Sequence, residues 1–172
     1  MSATKPNGTS CLMTKELMTI IFLAVLSLVI PLGGSLSSAA DKIEDPKSCK
    51  QCGMDRSVFD RSRMLIAYAD GTTVGVCSLH CAAREIRQNK DRQIKSLMVA
   101  DYMTKELIDA KTAYWVIGGR IQGVMTSLPK WAFARGEDAQ KFVKENGGKI
   151  SSFDETMKAA KDEVEQSGKM SH

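Results

Sequence analysis

Histidine is scarce in this sequence, with two among 172 residues. These are His80 and His172, and neither belongs to a recognisable Ser-His-Asp set. The carboxylates alternate with lysines in the manner of surface ion pairs, so no pair of acids suited to general acid–base catalysis is evident. We therefore expect that this protein is not an enzyme.

Two binding signatures are also missing. No cysteine pair is followed directly by histidine, which is the order that covalent haem attachment requires. Basic residues exceed acidic ones only slightly, 24 against 20, and they are interspersed, so nucleic-acid binding is not expected. The most basic stretch, "REIRQNKDRQIK" at residues 84–95, is typical of a solvated helix face; docking to an acidic partner or to lipid headgroups is the alternative.

Long apolar runs are limited to one near the N-terminus. Residues 17–30 follow two lysines and are uncharged, but this run is shorter than the roughly 20 residues that span a bilayer. Small residues up to Ala40 then resemble a signal-peptide cleavage site before Asp41. The pattern predicts a signal peptide or an uncleaved membrane anchor at 1–40, with the following domain exported to the periplasm.

The first half of the remaining domain follows a strand, turn, strand, helix, strand order. Its expected segments are a strand at 64–69, the Asp70-Gly71 turn, a strand at 73–77, a helix from Ser78 and an extended run at 94–99. An Asp-Gly pair between two β-rich runs is a strong hairpin signal.

The second half repeats this order. Its expected segments are a strand at 113–117, the Gly118-Gly119 turn, a strand at 121–125, a helix at 137–145 and a strand at 149–151. Aligning the two turns sets Gly75-Val76-Cys77 over Gly123-Val124-Met125. The pattern therefore predicts an internal repeat in which Cys77 and Met125 occupy equivalent strand ends.

The expected fold class is α+β, with two ββαβ lobes in pseudo-repeat and a C-terminal helix. The expected divisions are the leader at 1–40, a linker and CxxC loop at 41–62, the first lobe at 63–111, the second lobe at 112–152, and the helix and tail at 153–172. Ser152 and Glu155 have the capping-box spacing that begins a helix.

Four cysteines remain once the leader, which holds Cys11, is set aside. They form a CxxC pair, Cys49 and Cys52, and a CxxxC pair, Cys77 and Cys81, separated by the predicted hairpin. Cys77 and Cys81 lie on one face at a helix N-terminus, where the helix dipole favours the thiolate form, especially of Cys81. The spacing is close to that of sites that enclose one metal ion.

The identity of the metal depends on the softness of the ligands. Four thiolates suit zinc, whereas thiolates combined with thioethers select Cu(I), so nearby methionines favour copper. His80 is a weaker candidate because a regular helix directs it about 100° away from its cysteine neighbours. The candidate ligands are Cys49, Cys52, Met54, Cys77, Cys81, Met125 and His80.

Other uses of these thiols stay open. An exported protein can hold structural disulfides, and a Cys49–Cys81 disulfide would leave Cys52 and Cys77 for a metal. A thioredoxin-like redox CxxC belongs between a strand and a helix, whereas Cys49 and Cys52 follow a polar linker. A structural zinc site in an interaction module accepts the same spacing.

The residues also resemble a known family. "CKQCGMDRSVFDRSRMLIAYADGTTVGVCSLHC", followed at a distance by "GVMTSLPKWAFARGEDAQKFVKENGGKI", is similar to the NosL family of copper-binding accessory proteins of nitrous oxide reductase assembly. The resemblance runs from about Cys49 to Phe153. Its most specific pieces are Cys52-Gly53-Met54, the Asp70-Gly71 hairpin, Met125-Thr126, Ala132-Phe133, Asp138-Ala139, Phe142 and Gly147-Gly148.

This resemblance implies two ββαβ lobes and Cu(I) binding in the exported compartment, and Cys52, Met54 and Met125 match the motif sulfurs of the family. It implies two kinds of partner, a metalloenzyme client that receives copper and membrane-associated assembly proteins. The sequence departs from the family in lacking a lipoprotein cysteine near Ala40 and in its richer Cys77 to Cys81 cluster.

Overall fold

The computed structural model describes residues 43–169. The expected leader at 1–40 and the end of the expected tail, including His172, lie outside the described residues. Within residues 43–169, no helix is both long enough and apolar enough to cross a membrane.

The first lobe is an antiparallel four-stranded sheet with one helix. Its elements are β1 (Met64–Tyr68), β2 (Thr73–Val76), α1 (Leu79–Gln88), β3 (Ile94–Ala100) and β4 (Leu107–Asp109), and the strand order is β2-β1-β3-β4. Strand β1 alternates buried and half-buried residues, as period-2 patterning requires. The turn before β2 depends on Gly71, whose φ of 85° suits a residue without Cβ.

The second lobe repeats the strand, strand, helix, strand order with a smaller sheet. Its elements are β5 (Tyr114–Ile117), β6 (Lys130–Phe133), α2 (Gly136–Asn146) and β7 (Lys149–Ser151), in the strand order β6-β5-β7. The last helix, α3 (Phe153–Lys169), follows directly. The predicted α+β class with two ββαβ lobes and a C-terminal helix is confirmed.

One predicted strand is wrong. Residues 121–125 form part of a loop, and β5 instead pairs with β6, with Val116 opposite Trp131. All four residues of β6 are buried, whereas Ile121 and Val124 are only partly buried. Because burial of apolar area is the main driving force, the segment carrying Trp131 and Phe133 takes the place beside β5.

This correction changes the internal alignment. Cys77 is the first residue after β2, and the first residue after β6 is Ala134. Met125 lies within the preceding loop, with a φ of 57°. The position equivalent to Cys77 is therefore occupied by alanine, and the second lobe has no sulfur there.

Asp101, the first residue after β3, connects the two lobes. Its buried carboxylate accepts hydrogen bonds from the Ala134 N–H at 2.9 Å and the Thr104 N–H at 2.8 Å. The next residue, Tyr102, donates its N–H to Ala132 at 2.8 Å and packs its ring against Trp131. The first lobe thus contributes a residue to the core of the second.

Helix α3 begins with the predicted capping box and covers the first lobe. The Ser152 N–H donates to the Glu155 carboxylate, and the Glu155 N–H donates to Ser152 Oγ. Its buried stripe contains Met157, Ala160 and Val164, and the helix packs against α1 and β5. Helix α1 is thereby held between the first sheet and α3.

Candidate metal centre

The four predicted cysteines come together in one cluster. Their Sγ atoms all lie within 4.8 Å of one another, with Cys52 and Cys77 3.5 Å apart and Cys77 and Cys81 3.7 Å apart. All four are free cysteines. A tetrahedral ion with metal–sulfur bonds of about 2.3 Å places its ligands about 3.8 Å apart, so the cluster fits a single metal ion.

A tight loop presents the CxxC pair. The Cys49 N–H donates to the Met54 carbonyl and the Gly53 N–H donates to the Cys49 carbonyl, each at 2.8 Å. Gly53 has a φ of 75°, which lets the chain reverse directly after Cys52. The Lys50 N–H bonds to the Gly75 carbonyl at 2.9 Å, which fastens the loop to β2.

Arg56 anchors the same loop from beneath, a role that the sequence analysis missed. Its fully buried guanidinium donates to the carbonyls of Val76 and Met64 and forms an ion pair with Glu44. A Cβ at Gly75 would lie 2.6 Å from Arg56 Nη1, so any larger residue at this strand position must displace the buried guanidinium. A glycine inside a strand signals such a close approach and was available in the sequence.

The second pair sits at the junction of β2 and α1. Ser78 is the N-cap of α1, and its side chain accepts a hydrogen bond from the Cys81 N–H at 3.5 Å. Ser62 Oγ donates to the Cys77 carbonyl at 2.8 Å. Both cysteines are held by backbone contacts, which leaves their thiols directed at the CxxC loop.

The four thiols share their protons unequally. Hydrogen bonds from Cys77 and Cys81 hold the pKa of Cys49 far below its ordinary value. The same contact with Cys49 raises the pKa of Cys77 to about 12 and that of Cys81 even further. Contacts with Cys49 and Cys77, together with burial, raise the pKa of Cys81, which is opposite in direction to the expectation from the helix N-terminus. A bound cation would replace these shared protons.

Access to the cluster is one-sided. Cys49, Cys77 and Cys81 are buried, with at most 2% of their surface exposed. Cys52 alone among the four is partly exposed. Solvent or a partner therefore reaches the cluster at Cys52.

Comparisons with known proteins agree with this description. A model of the NosL family matches residues 40–160, which include all four clustered cysteines. This chain belongs to the NosL family. No curated protein matches the chain.

A crystal structure supports the fold assignment. The copper chaperone NosL from Shewanella denitrificans superposes with a TM-score of 0.53 at 22% sequence identity, covering 67% of this chain and 93% of that chain. At this identity the likeness concerns the fold. The two-lobed architecture is therefore that of a solved NosL protein.

The remaining candidate ligands of this NosL chain are placed differently. Met54 is half-buried on the CxxC loop. Met125 and His80 line another cavity, of about 160 Å³, with Glu163. Ligation by Met54 and Met125 stays a prediction.

His80 is not part of the group of four cysteines. Its Nδ1 is buried without a hydrogen-bond partner and lies 3.9 Å from a Glu163 oxygen. Burial lowers the pKa of His80, and the charges of Arg84 and Lys130 add to this effect against the opposing charge of Glu163. Ligation by His80 also stays a prediction.

Proposed function

We propose that this chain is an exported Cu(I)-binding carrier, without catalytic activity, that delivers copper to a metalloenzyme of the nitrous oxide reductase type during maturation. The observation that carries the proposal is the cluster of four free thiols within 4.8 Å in a chain of the NosL family. The name of the similar solved structure, a copper chaperone, supports the same assignment.

Ligand chemistry supports a soft ion. Thiolates hold Cu(I) and zinc strongly, whereas hard cations prefer oxygen ligands. Met54 lies two residues after Cys52 on the loop that presents it, where a thioether could complete or exchange a ligand of Cu(I). Zinc gives such a methionine no role, and on this basis we favour copper.

A carrier must shield its ion and still release it. Three buried sulfurs exclude water from most of the site, and the partly exposed Cys52 offers a place where an incoming client ligand can attack. Ligands can then be exchanged one at a time. Export is part of this proposal, and it rests on the signal-peptide pattern at residues 1–40.

Anaerobic titration of the reduced protein with Cu(I), and separately with Zn(II), against a competing chelator tests the proposal. We expect one Cu(I) per chain, with weaker binding in Met54→Leu and Met125→Leu because each loses a thioether. Met103→Leu is the matched control, since Met103 is similarly exposed, at 47% against 38% for Met125. Transfer is then followed by mixing the Cu(I)-loaded protein with copper-free nitrous oxide reductase.

The alternative function is a zinc-stabilised interaction module, which the nearly complete burial of three of the cysteines favours. Tight zinc binding that none of the methionine variants affects would select this alternative. Cu(I) binding without any transfer to the enzyme would retain the copper site and reject the delivery role.

A further inference from the structure

A groove lies between α1 and α3. It has a volume of about 730 Å³, and its lining includes Arg84, Arg87, Val164 and Lys169. A second hollow of about 240 Å³ shares Arg87 and Val164 with it and adds Lys90 and Lys161. We call these two adjoining hollows the basic groove.

The charge of the basic groove is strongly one-sided. Five basic side chains, of Arg84, Arg87, Lys90, Lys161 and Lys169, line it against the single acid Glu165. Such a concentration of one sign attracts an oppositely charged ligand and accelerates its association.

Four of the eight arginines in residues 43–169 form an ion pair with a carboxylate, and the two arginines of the groove are not among them. Arg56, Arg63, Arg92 and Arg135 each form an ion pair with a carboxylate. Within residues 43–169, neither Arg84 nor Arg87 forms one. Guanidinium groups bind carboxylates through paired hydrogen bonds, so two unpaired guanidiniums one helical turn apart suit carboxylates of a partner.

The shape of the groove selects the class of partner. Ala83, Ile86 and Val164 give its second hollow an apolar lining beneath the charged side chains. A polypeptide segment can place apolar side chains in the hollow and carboxylates on its rim. A bilayer surface is broad and flat, and it fits a concave groove between two helices poorly.

We propose that the basic groove is a docking site for an acidic polypeptide segment of a protein partner. Helix α1 lines the groove with His80 and supplies Cys81 to the cysteine cluster one residue later. A partner bound there lies on the helix that holds a candidate metal ligand. A role of this docking site in copper delivery rests on the proposed function, whereas the binding of an acidic segment to the basic groove does not.

Fluorescence anisotropy with the full chain and a fluorescein-labelled hexaglutamate peptide tests the inference, with hexaglutamine as the uncharged comparison. We expect hexaglutamate alone to bind, and to bind more weakly as salt rises. The double variant Arg84→Glu/Arg87→Glu should raise Kd at least about tenfold. Lys141→Glu/Lys144→Glu, on exposed positions of α2 with the same spacing, is the matched control for net charge and should change Kd less than about twofold.

Equal weakening by the two double variants would overturn the proposal, because net charge alone would then explain binding. Binding to phosphatidylglycerol vesicles, without binding to hexaglutamate, would assign the groove to membranes and overturn it as well. Arg84→Gln/Arg87→Gln gives a second test if the glutamate variant does not fold. The arginine variants should bind Cu(I) with the same affinity as the unchanged chain. If the unchanged chain does not bind Cu(I), the carrier function is rejected. The docking site is then judged by peptide binding alone.

Discussion

The two lobes share a strand, strand, helix, strand order, to which the first lobe adds β4, but they differ at the point where the hairpin enters the helix. In the first lobe this junction is Cys77-Ser78, and Ser78 caps α1 through its side chain. In the second it is Ala134-Arg135, and Arg135 makes no capping side-chain bond to α2. The fold therefore contains the hairpin and helix twice, whereas the cysteine cluster is built only from the first copy and the loop ahead of it.

A second difference lies inside the matching strands. Gly75 and Ala132 both stand two residues before the strand-to-helix junction, opposite Leu65 and Trp115 respectively. Ala132 is buried and tolerates its methyl group, whereas Arg56 occupies the space beside Gly75. The space that the methyl group of Ala132 fills in the second lobe is therefore filled by the Arg56 side chain in the first.

The largest expected effect comes from removing sulfur at the junction. Cys77→Ser should weaken metal binding more than about a hundredfold, because even residues that only orient ligands cost 10- to 100-fold. Ala134→Ser, at the equivalent and exposed position, should have no effect. Competitive metal titration measures both, and equal affinities for the two variants would show that Cys77 is not a ligand.

An intermediate effect is expected from exchanging the strand residues. Gly75→Ala should lower the free energy of unfolding by about 1 to 3 kcal/mol, because the new Cβ overlaps a guanidinium that its buried contacts hold in place. Ala132→Gly should cost roughly 1 to 2 kcal/mol from strand entropy and a lost buried methyl. Urea unfolding measures both variants.

Metal affinity separates these two variants further. Gly75→Ala should also weaken metal binding, because the Gly75 carbonyl and Arg56 both position the CxxC loop. Ala132→Gly should leave metal binding unchanged. A Gly75→Ala protein with normal affinity would show that the loop does not depend on this anchor.

The smallest expected effect is the loss of folding stability at low pH that Glu44 causes. Burial alone would raise the pKa of Glu44, but the hydrogen bond from Arg63 and the charges of Arg63 and Arg56 hold it below its ordinary value of 4.5. Its contribution to stability is therefore present above about pH 4.5 and is lost as pH falls through the lower folded pKa.

Urea unfolding at pH 6 and pH 3.5 measures this dependence. The wild-type chain should lose more stability than Glu44→Gln over this interval. Asp101, whose pKa is also lowered by hydrogen bonds from Ala134 and Thr104 against its burial, titrates in both proteins and cancels from the difference. An identical loss of stability in both proteins would show that the ion pairs of Glu44 with Arg56 and Arg63 do not stabilise the fold.

Local signals in the sequence were sufficient for β1, β2, α1 and β3 of the first lobe, whereas the short strand β4 was not predicted. Alternation over β1 and the Asp70-Gly71 turn fix the hairpin, and Ser78 marks the start of α1. In the second lobe, the segment at 121–125 alternates almost as well as a strand. Only tertiary packing, in which Trp131 and Phe133 enter a core with Tyr102, decides for β6.

For the candidate site, the sequence predicted the cysteine cluster but not the residue that anchors its loop. Cysteine spacing indicated one cluster, since each pair is local and the hairpin between them is short. Arg56 was missed because its contacts, with Val76 twenty residues away and with Met64, exist only in the folded chain. The proton distribution was also missed, because it follows from contacts among the four sulfurs rather than from the helix alone.

The partial exposure of Cys52 has a consequence for the order of events. An ion held by these four sulfurs has a single accessible side. In the proposed carrier function, a protein that loads the ion and a protein that takes it away would both approach Cys52, so the two could not be bound to the ion together. Loading and unloading are then alternating steps of a cycle, and the concentration of either partner sets how long the other must wait.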